Sequence, residues 1–348
     1  MCLEVRTEPQ RSHRDRPHRV HSKAGGSPLS PWLYRFAGIL VSVVFVYLAV
    51  QRVDLSESLR ALGTVRPGWL VAATLAYLSS FPIRALRWRL VLRVQKPLRV
   101  KELMAAVFVG YMANNVLPAR AGEVYRAHFL GRRAGISRSG VAASIVVERT
   151  LDGLMLVGAI LFVFLAFPGE DYLGGAALAA GLVFMALAAG ILFYGLRADQ
   201  AQRAAGRGLE RLPGAIQRHL VGRLNSFLHG IRGISTAREL VEAGAYTIFI
   251  WALDACAVAL VVVSFGLTLP PVGYVLVFAL VALSTTLPSG PGFVGPFQYA
   301  FVLSLGTFAV PRETALAVSV VAQLSLLGSV TLIGLALLWR EQLRAPGR

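Results

Sequence analysis

The chain has 348 residues, of which 55% are hydrophobic and only 15% charged, with a formal net charge of +17 and a mean hydropathy of +0.61. A soluble domain carries about a quarter of its residues as charges, so this balance excludes an ordinary water-soluble enzyme and points to an all-α polytopic membrane protein. Nucleic-acid binding is excluded by distribution: the basic residues fall in loops between apolar runs, without aromatic interleaving or a binding motif, a pattern that encodes orientation in membranes.

Residues 1–32 are polar and basic. They are too long and too charged to begin a signal peptide and read as a disordered cytoplasmic tail. A first span is predicted at about 33–50 and a second at about 69–92, which ends IRALRWRLVL. Arg84, Arg87 and Arg89 at that end read as cytoplasmic interface residues, with Trp88 as their aromatic anchor. A short apolar run follows at 103–113, a long one at 139–166 and another at 173–196. A basic cytoplasmic linker, 197–238, precedes further runs at 241–266, 272–287, 297–310 and 314–338.

Loop charge sets the topology. The tails, 84–101 and 197–238 are rich in Lys and Arg, whereas FPGEDY at 167–172 and the uncharged 267–271 are not. The positive-inside rule therefore places the basic segments in the cytoplasm. Residues 132–138 (RRAGISR) are basic as well, so the chain between 101 and 132 enters from the cytoplasm and returns to it. Its turn falls on NNVLPARAGE. The same bookkeeping between 271 and 309 places a second turn, entered from outside, on TTLPSGPGFVG. The expectation is about six full transmembrane helices plus two re-entrant helical hairpins, with both termini cytoplasmic.

The two turns align without gaps. VFVGYMANNVLPARAGE (107–123) matches VFALVALSTTLPSGPGF (277–293), so that Leu117, Pro118 and Gly122 correspond to Leu287, Pro288 and Gly292. Opposite entry sides make the halves, about 69–166 and 241–338, an inverted repeat, as in many secondary transporters. Proline removes a backbone donor and glycine permits reversal. Such broken backbone persists in a membrane only inside protein or beside water, which implies a polar cavity between the halves.

The charges beside the first break are the candidate site. Arg120, Glu123 and Arg126 follow one another at three-residue spacing, and Glu148 and Asp152 lie one helical turn apart with Arg149 beside them. Pairing of Arg120 or Arg126 with Glu148 or Asp152, and of Glu123 with Arg149, would clamp the hairpin. Arginines left available would receive an anionic head group. Asp254, inside an apolar span, is either a coupling acid or the partner of a neighbouring group. Cys2 and Cys256 permit no metal site or disulfide framework by spacing. The sequence holds no metalloprotease, P-loop or dinucleotide signature, so no catalytic residue, metal or cofactor is expected.

The elements N-x-x-P-x-R-x-G-E-x-x-R (115–126) and E-R-x-x-D (148–152), with LPSGPGFVG in the second half, resemble the lysylphosphatidylglycerol synthase transmembrane region, also described as a flippase-like integral membrane domain. The resemblance covers about 33–340. It implies a protein that moves lipids or lipid-linked molecules between leaflets. In bifunctional members a separate soluble synthase domain makes the aminoacylated lipid. That domain is not expected here, so lysyl transfer by this chain is not expected either. Carried over are Asn115, Pro118, Arg120, Gly122, Glu123, Arg126, Glu148, Arg149 and Asp152, and, as hairpin formers in the second half, Pro288, Gly290, Pro291, Gly292 and Gly295. Where many members have a glutamate and an arginine, this chain has Gln298 and Gln323.

Three readings stand. The chain translocates an anionic lipid head group, or transfers a group on a lipid carrier with Glu148 or Asp152 as base or metal holder, or docks a lipid or glycan synthesis enzyme through its basic linker. A homo-oligomer remains open. The Ala- and Arg-rich usage of the chain suits a GC-rich bacterial genome, and the resemblance implies a bacterial cytoplasmic (inner) membrane.

Overall fold

The computed structural model describes residues 31–51, 53–117, 120–166, 236–287 and 289–344, with isolated positions between 182 and 234. Residues 1–30 of the predicted tail, most of the span at 173–196, most of the basic linker, Pro118 and Pro288 lie outside the described residues. Every described element is helical. In chain order these are α1 (Pro31–Val50), α2 (Leu55–Leu62), α3 (Pro67–Leu92), α4 (Val100–Val116), α5 (Gly122–Ala134), α6 (Arg138–Ala166), α7 (Ala237–Ser264), α8 (Pro271–Ser284), α9 (Pro296–Gly306), α10 (Arg312–Ala322) and α11 (Gly328–Arg344). A π turn, Gln323–Leu327, joins α10 to α11.

Four helical stretches among the described residues are long and apolar enough to cross a membrane: Pro67–Leu92, Arg138–Ala166, Ala237–Ser264 and Arg312–Glu341. Ile39–Val50 and α8 are shorter and also apolar. Their outer faces carry large apolar side chains, including Val71, Leu75, Leu161, Leu165, Leu324 and Leu332. In water such faces would be an aggregation hazard; against lipid they are the expected exterior. Arg84, Arg87, Arg126 and Glu148 turn inward instead. Absent from the sequence expectation is α2, an amphipathic helix that starts where Asp54 accepts a hydrogen bond from the Ser56 amide at 2.8 Å.

Two apolar cores flank the interior. One is built from α3, α4, α5 and α6 together with α11, around Phe81, Trp88, Leu103, Leu130 and Val330. The other joins α7, α8, α9 and α10, around Val261, Phe297, Phe301 and Val318. α3 packs extensively along α7 and so ties the halves together.

Helix α4 stops at Val116, where Leu117 turns extended. The chain reverses at Arg120, whose φ is 54°, and α5 runs back against α4. Gly122 was expected to supply the reversing dihedral. It serves close approach instead: a β-carbon there would lie 2.3 Å from the Asn114 amide nitrogen and 2.4 Å from the Gly110 carbonyl oxygen. Small residues let helix backbones approach in membranes, and Gly110 in turn leaves room for the stem of Arg126.

The second turn does use its glycines for reversal, at Gly292 (φ 68°) and Gly295 (φ 99°). Gly290 keeps an ordinary φ of −65°, and Pro291 opens a single 3-10 turn, Pro291–Phe293. The hydroxyl of Ser42 on α1 accepts a hydrogen bond from the Gly290 amide at 2.7 Å. The two turns meet: a β-carbon on Gly292 would sit 3.7 Å from the Asn115 carbonyl oxygen.

Candidate functional site

A cavity of about 340 Å³ lies between the two cores. One part of its wall is ionic, from Arg84, Arg120, Glu123, Arg149, Asp152 and Asp254, with Asn114, Asn115 and Tyr111 beside them. The rest is largely apolar, including Leu156, Trp251, Val258, Phe278 and Phe297, with Thr285 and Thr286 from the end of α8. Its size falls within the range of small-molecule sites.

The ionic wall begins on α3. Ser80, Arg84, Arg87 and Trp88 recur at helical spacing and are buried, while Arg89 is exposed. The expectation that Arg84 and Arg87 are interface residues is therefore corrected. Arg87 is fully buried. It donates through Nη1 to Asp152 at 2.7 Å and to the Thr247 hydroxyl at 2.9 Å, and through Nη2 to Glu148 at 3.4 Å. Arg84 donates to the Tyr111 hydroxyl at 2.6 Å and to Asp254. Burying a guanidinium is costly unless it is paired and hydrogen-bonded, and α6 and α7 supply the carboxylates that make it tolerable. Counting arginines near a loop cannot reveal this. The signal was Asp254, a lone acid in the apolar stretch of α7 after Glu242, in need of a cationic partner.

Of the residues expected at the first break, Arg126 is buried behind the wall and is not among the residues that line the cavity. Its Nη1 lies 2.9 Å from Glu148 Oε2, and its guanidinium is 3.5 Å from the Trp88 ring centroid. Trp88 is fixed by donating to the Ser144 hydroxyl at 2.9 Å. Arg149 does line the cavity. It pairs with Asp152 at 3.3 Å and with Glu123 at 3.6 Å. Arg120 is the most loosely held: its Nη2 is 4.0 Å from Glu123. The Nε atoms of Arg120 and Arg149, Glu123 Oε1 and Asn114 Oδ1 are buried with no hydrogen-bond partner among the described residues.

Asn115 turns toward α11, donating to the Leu327 carbonyl at 3.2 Å and the Thr331 hydroxyl at 2.9 Å. Gln298 and Gln323, which stand where the resemblance has an acid and a base, do come together. Gln298 Nε2 donates to Gln323 Oε1 at 2.5 Å, and Gln323 Nε2 to the Gly292 carbonyl at 2.6 Å. A neutral amide pair thus holds the second turn, leaving the charge of the cavity to the first half and to Asp254. Among the described residues, no group of three or more His, Cys, Asp or Glu side chains is arranged to hold a metal.

These features define a multi-pass helical membrane protein with an ionic cavity enclosed between two packed halves. Residues 35–334 match the family described as Lysylphosphatidylglycerol synthase TM region, and the chain belongs to it. Among curated relatives, it is 28% identical over 330 residues to Glycosyltransferase AglD of Haloferax volcanii. That match covers 86% of this chain but 53% of the relative, so the chain spans about half of that protein's length. It is 24% identical to a UPF0104 membrane protein of Methanothermobacter thermautotrophicus, covering 85% of this chain and 90% of the relative. A UPF0104 membrane protein of Methanocaldococcus jannaschii is 20% identical, with 82% and 88% covered.

Proposed function

We propose that the chain is a lipid transporter that carries an anionic head group, singly or on a lipid-linked molecule, between leaflets through this cavity. The observation that carries the reading is the state of the ionic wall. Arg84, Arg87, Arg120, Arg126 and Arg149 are set against Glu123, Glu148, Asp152 and Asp254. Counted with Arg87, Arg126 and Glu148, which lie behind the lining, five cations against four anions leave one positive charge in surplus, beside Arg120 Nε and Asn114 Oδ1, which have no hydrogen-bond partner among the described residues. A network that served only as a clamp gains nothing from a surplus charge or from orphaned donors. Arg120 and Arg149 are the residues that meet the head group, and Arg87, Arg126 and Glu148 back them. Arginine's planar fork suits a phosphate, and the apolar wall suits the adjoining chain.

In this reading the α4–α5 and α8–α9 pairs are two re-entrant hairpins in an inverted repeat, about 69–166 and 241–338, within six full crossings. The protein sits in a cytoplasmic membrane with both termini inside. Supporting it are the meeting of the two turns and the shortness of α4, α5, α8 and α9, of which the longest has 17 residues, against ~20 needed to cross.

The name of the Haloferax relative favours a second reading, in which the chain handles a lipid-linked sugar or works beside a glycan synthesis enzyme. That activity belongs to a protein of which this chain matches about half.

The test is translocation of fluorescent lipids in liposomes carrying the purified chain, across phosphatidylglycerol, phosphatidylethanolamine, phosphatidylcholine and a polyprenyl phosphate. Faster exchange of the anionic lipids than of phosphatidylcholine supports the reading. Exchange equal to that of protein-free liposomes for every lipid refutes it. Product formation from a sugar-linked polyprenyl donor, without exchange, establishes a transferase instead.

A further inference from the structure

After Glu242, α7 carries one charged residue, Asp254, in an otherwise apolar stretch to Ser264. An acid at such a position is costly and, where it persists, marks an ion or substrate path. Asp254 lines the cavity. One carboxylate oxygen, Oδ2, pairs with Arg84. The other, Oδ1, is buried and has no hydrogen-bond partner among the described residues. Arg84 lines the cavity too, and its remaining polar contacts are neutral: the Tyr111 hydroxyl at 2.6 Å and the Ser80 hydroxyl at 3.4 Å.

The ionic wall, taken with the residues buried behind it, therefore has two poles. At one, Arg87, Arg120, Arg126 and Arg149 exceed Glu123, Glu148 and Asp152 by one charge. At the other, Arg84 and Asp254 cancel. A head group drawn to the first pole finds no net attraction at the second, and its phosphate would meet the Asp254 carboxylate across a poorly solvated gap. Like charges at such a site repel strongly. A proton on Oδ1 removes that repulsion. Asp254 becomes a neutral donor, and Arg84, still held by Tyr111, presents its charge to the cavity.

We propose that Asp254 is the proton-binding site that couples head-group passage to proton movement, an inference that rests on the transport reading above. The proton comes from water on the side to which the cavity is open. It binds Asp254 Oδ1 as the head group engages Arg84, and it leaves to water on the far side when the head group departs and the Arg84–Asp254 pair re-forms. One proton accompanies one head group. The groups that face Asp254 are Tyr77, Ser80 and Arg84 from α3 and Asp152 from α6. Of the other helices packed on α7, α8 offers only Tyr274 as an ionisable side chain, bonded to the Leu269 amide, and α10 offers Arg312 and Glu313 in its first turn.

The experiment uses the full chain in liposomes with labelled phosphatidylglycerol and, separately, labelled polyprenyl phosphate. A pH gradient is imposed with the membrane potential clamped, and a trapped pH dye reports protons. The expected result is several-fold faster translocation along the proton gradient than without it, with dye-reported proton entry that requires the lipid. Asp254→Asn should lose both responses and run at one rate at every pH, whereas Asp254→Glu should keep them. Wild-type translocation that ignores the gradient overturns the coupling and leaves the transport reading intact, whatever the variants do. A gradient response that survives in Asp254→Asn overturns the assignment to this residue. Absence of translocation under all conditions overturns the transport reading and the coupling with it.

Discussion

Arg126 lies over Trp88, its guanidinium 3.5 Å from the ring centroid, while its Nη1 rests 2.9 Å from Glu148. The cation is thereby compensated on one side by a carboxylate and on another by an aromatic face, which suits Arg better than Lys. Glu148 is shared with Arg87, so the three residues stand or fall together.

Removing Arg126 leaves Glu148 buried with Arg87 alone. Breaking one partner of such a buried pair costs about 3–5 kcal/mol. Arg126→Ala is expected to lower the thermal unfolding midpoint in detergent markedly, and Arg126→Lys by less. Arg126→Met combined with Glu148→Gln, which removes both charges, should recover much of the loss. If the double variant is as unstable as the sum of the singles, the coupling described here is absent.

Arg120 offers the converse separation. It is loosely paired, partly exposed and held at φ 54°, a conformation that costs an L-residue roughly 1–2 kcal/mol and glycine little. Arg120→Gly removes the charge and relieves the backbone, at an entropic cost of roughly 0.5–1 kcal/mol. Its unfolding midpoint should stay near wild type. Anionic-lipid exchange should fall by about tenfold or more, the loss of one charge-assisted contact worth ~1.5–3 kcal/mol. Unfolding and exchange measured on the same preparation distinguish a binding arginine from a structural one.

Glycine positions make the fold itself testable. A β-carbon at Gly122 would collide with backbone atoms of α4 at 2.3 and 2.4 Å, while Gly158 on α6 has nothing within 4 Å. Gly122→Ala should separate α4 from α5 and sharply reduce the yield of folded protein. Gly158→Ala should be neutral or stabilising by up to about 1 kcal/mol. Size-exclusion profiles of the two variants, expressed side by side, provide the comparison. A monodisperse Gly122→Ala protein would contradict the close approach.

The contrast between Arg126 and Arg87 shows what was legible in advance. Proline and glycine after NNVL announced a broken helix, and helical spacing was enough to pair Glu123 with Arg149 and to set Arg120 or Arg126 against Glu148 or Asp152, without choosing Arg126 and Glu148 among them. Arg87 escaped because loop charges were counted by segment, which merged a buried face of α3 with exposed Arg89 and the basic loop behind it. The face separates only when Ser80, Arg84, Arg87 and Trp88 are set on one helical stripe and Asp254 is asked for its partner. The reversal at Arg120 was hidden for another reason: an arginine at positive φ has no sequence signature, and the nearby Gly122 was the natural candidate. Gly110 was hidden in an apolar run, where a packing glycine looks like any other small residue.

The second turn depends on amides rather than ions. The Gly295 amide donates to Gln298 Oε1 at 2.7 Å, Gln298 donates to Gln323, and Gln323 to the Gly292 carbonyl. Gln323 opens the π turn between α10 and α11, and Asn115 of the first turn donates to the carbonyl of Leu327 that closes it. The π turn is thus hydrogen-bonded to both chain reversals, and π turns recur at functional sites. Gln323→Leu leaves a buried amide and a carbonyl unpaired, at about 1–3 kcal/mol each. The expected consequence is local rather than global: faster amide hydrogen exchange over residues 289–296, with exchange in α3 and α7 unchanged. Gln323→Glu keeps an acceptor for Gln298 but loses the donor to Gly292, so it should release the turn at Gly292 while leaving Gln298 bound. Exchange that rises equally throughout α8–α11 in both variants would mean that Gln323 supports the packing of the whole half rather than the turn.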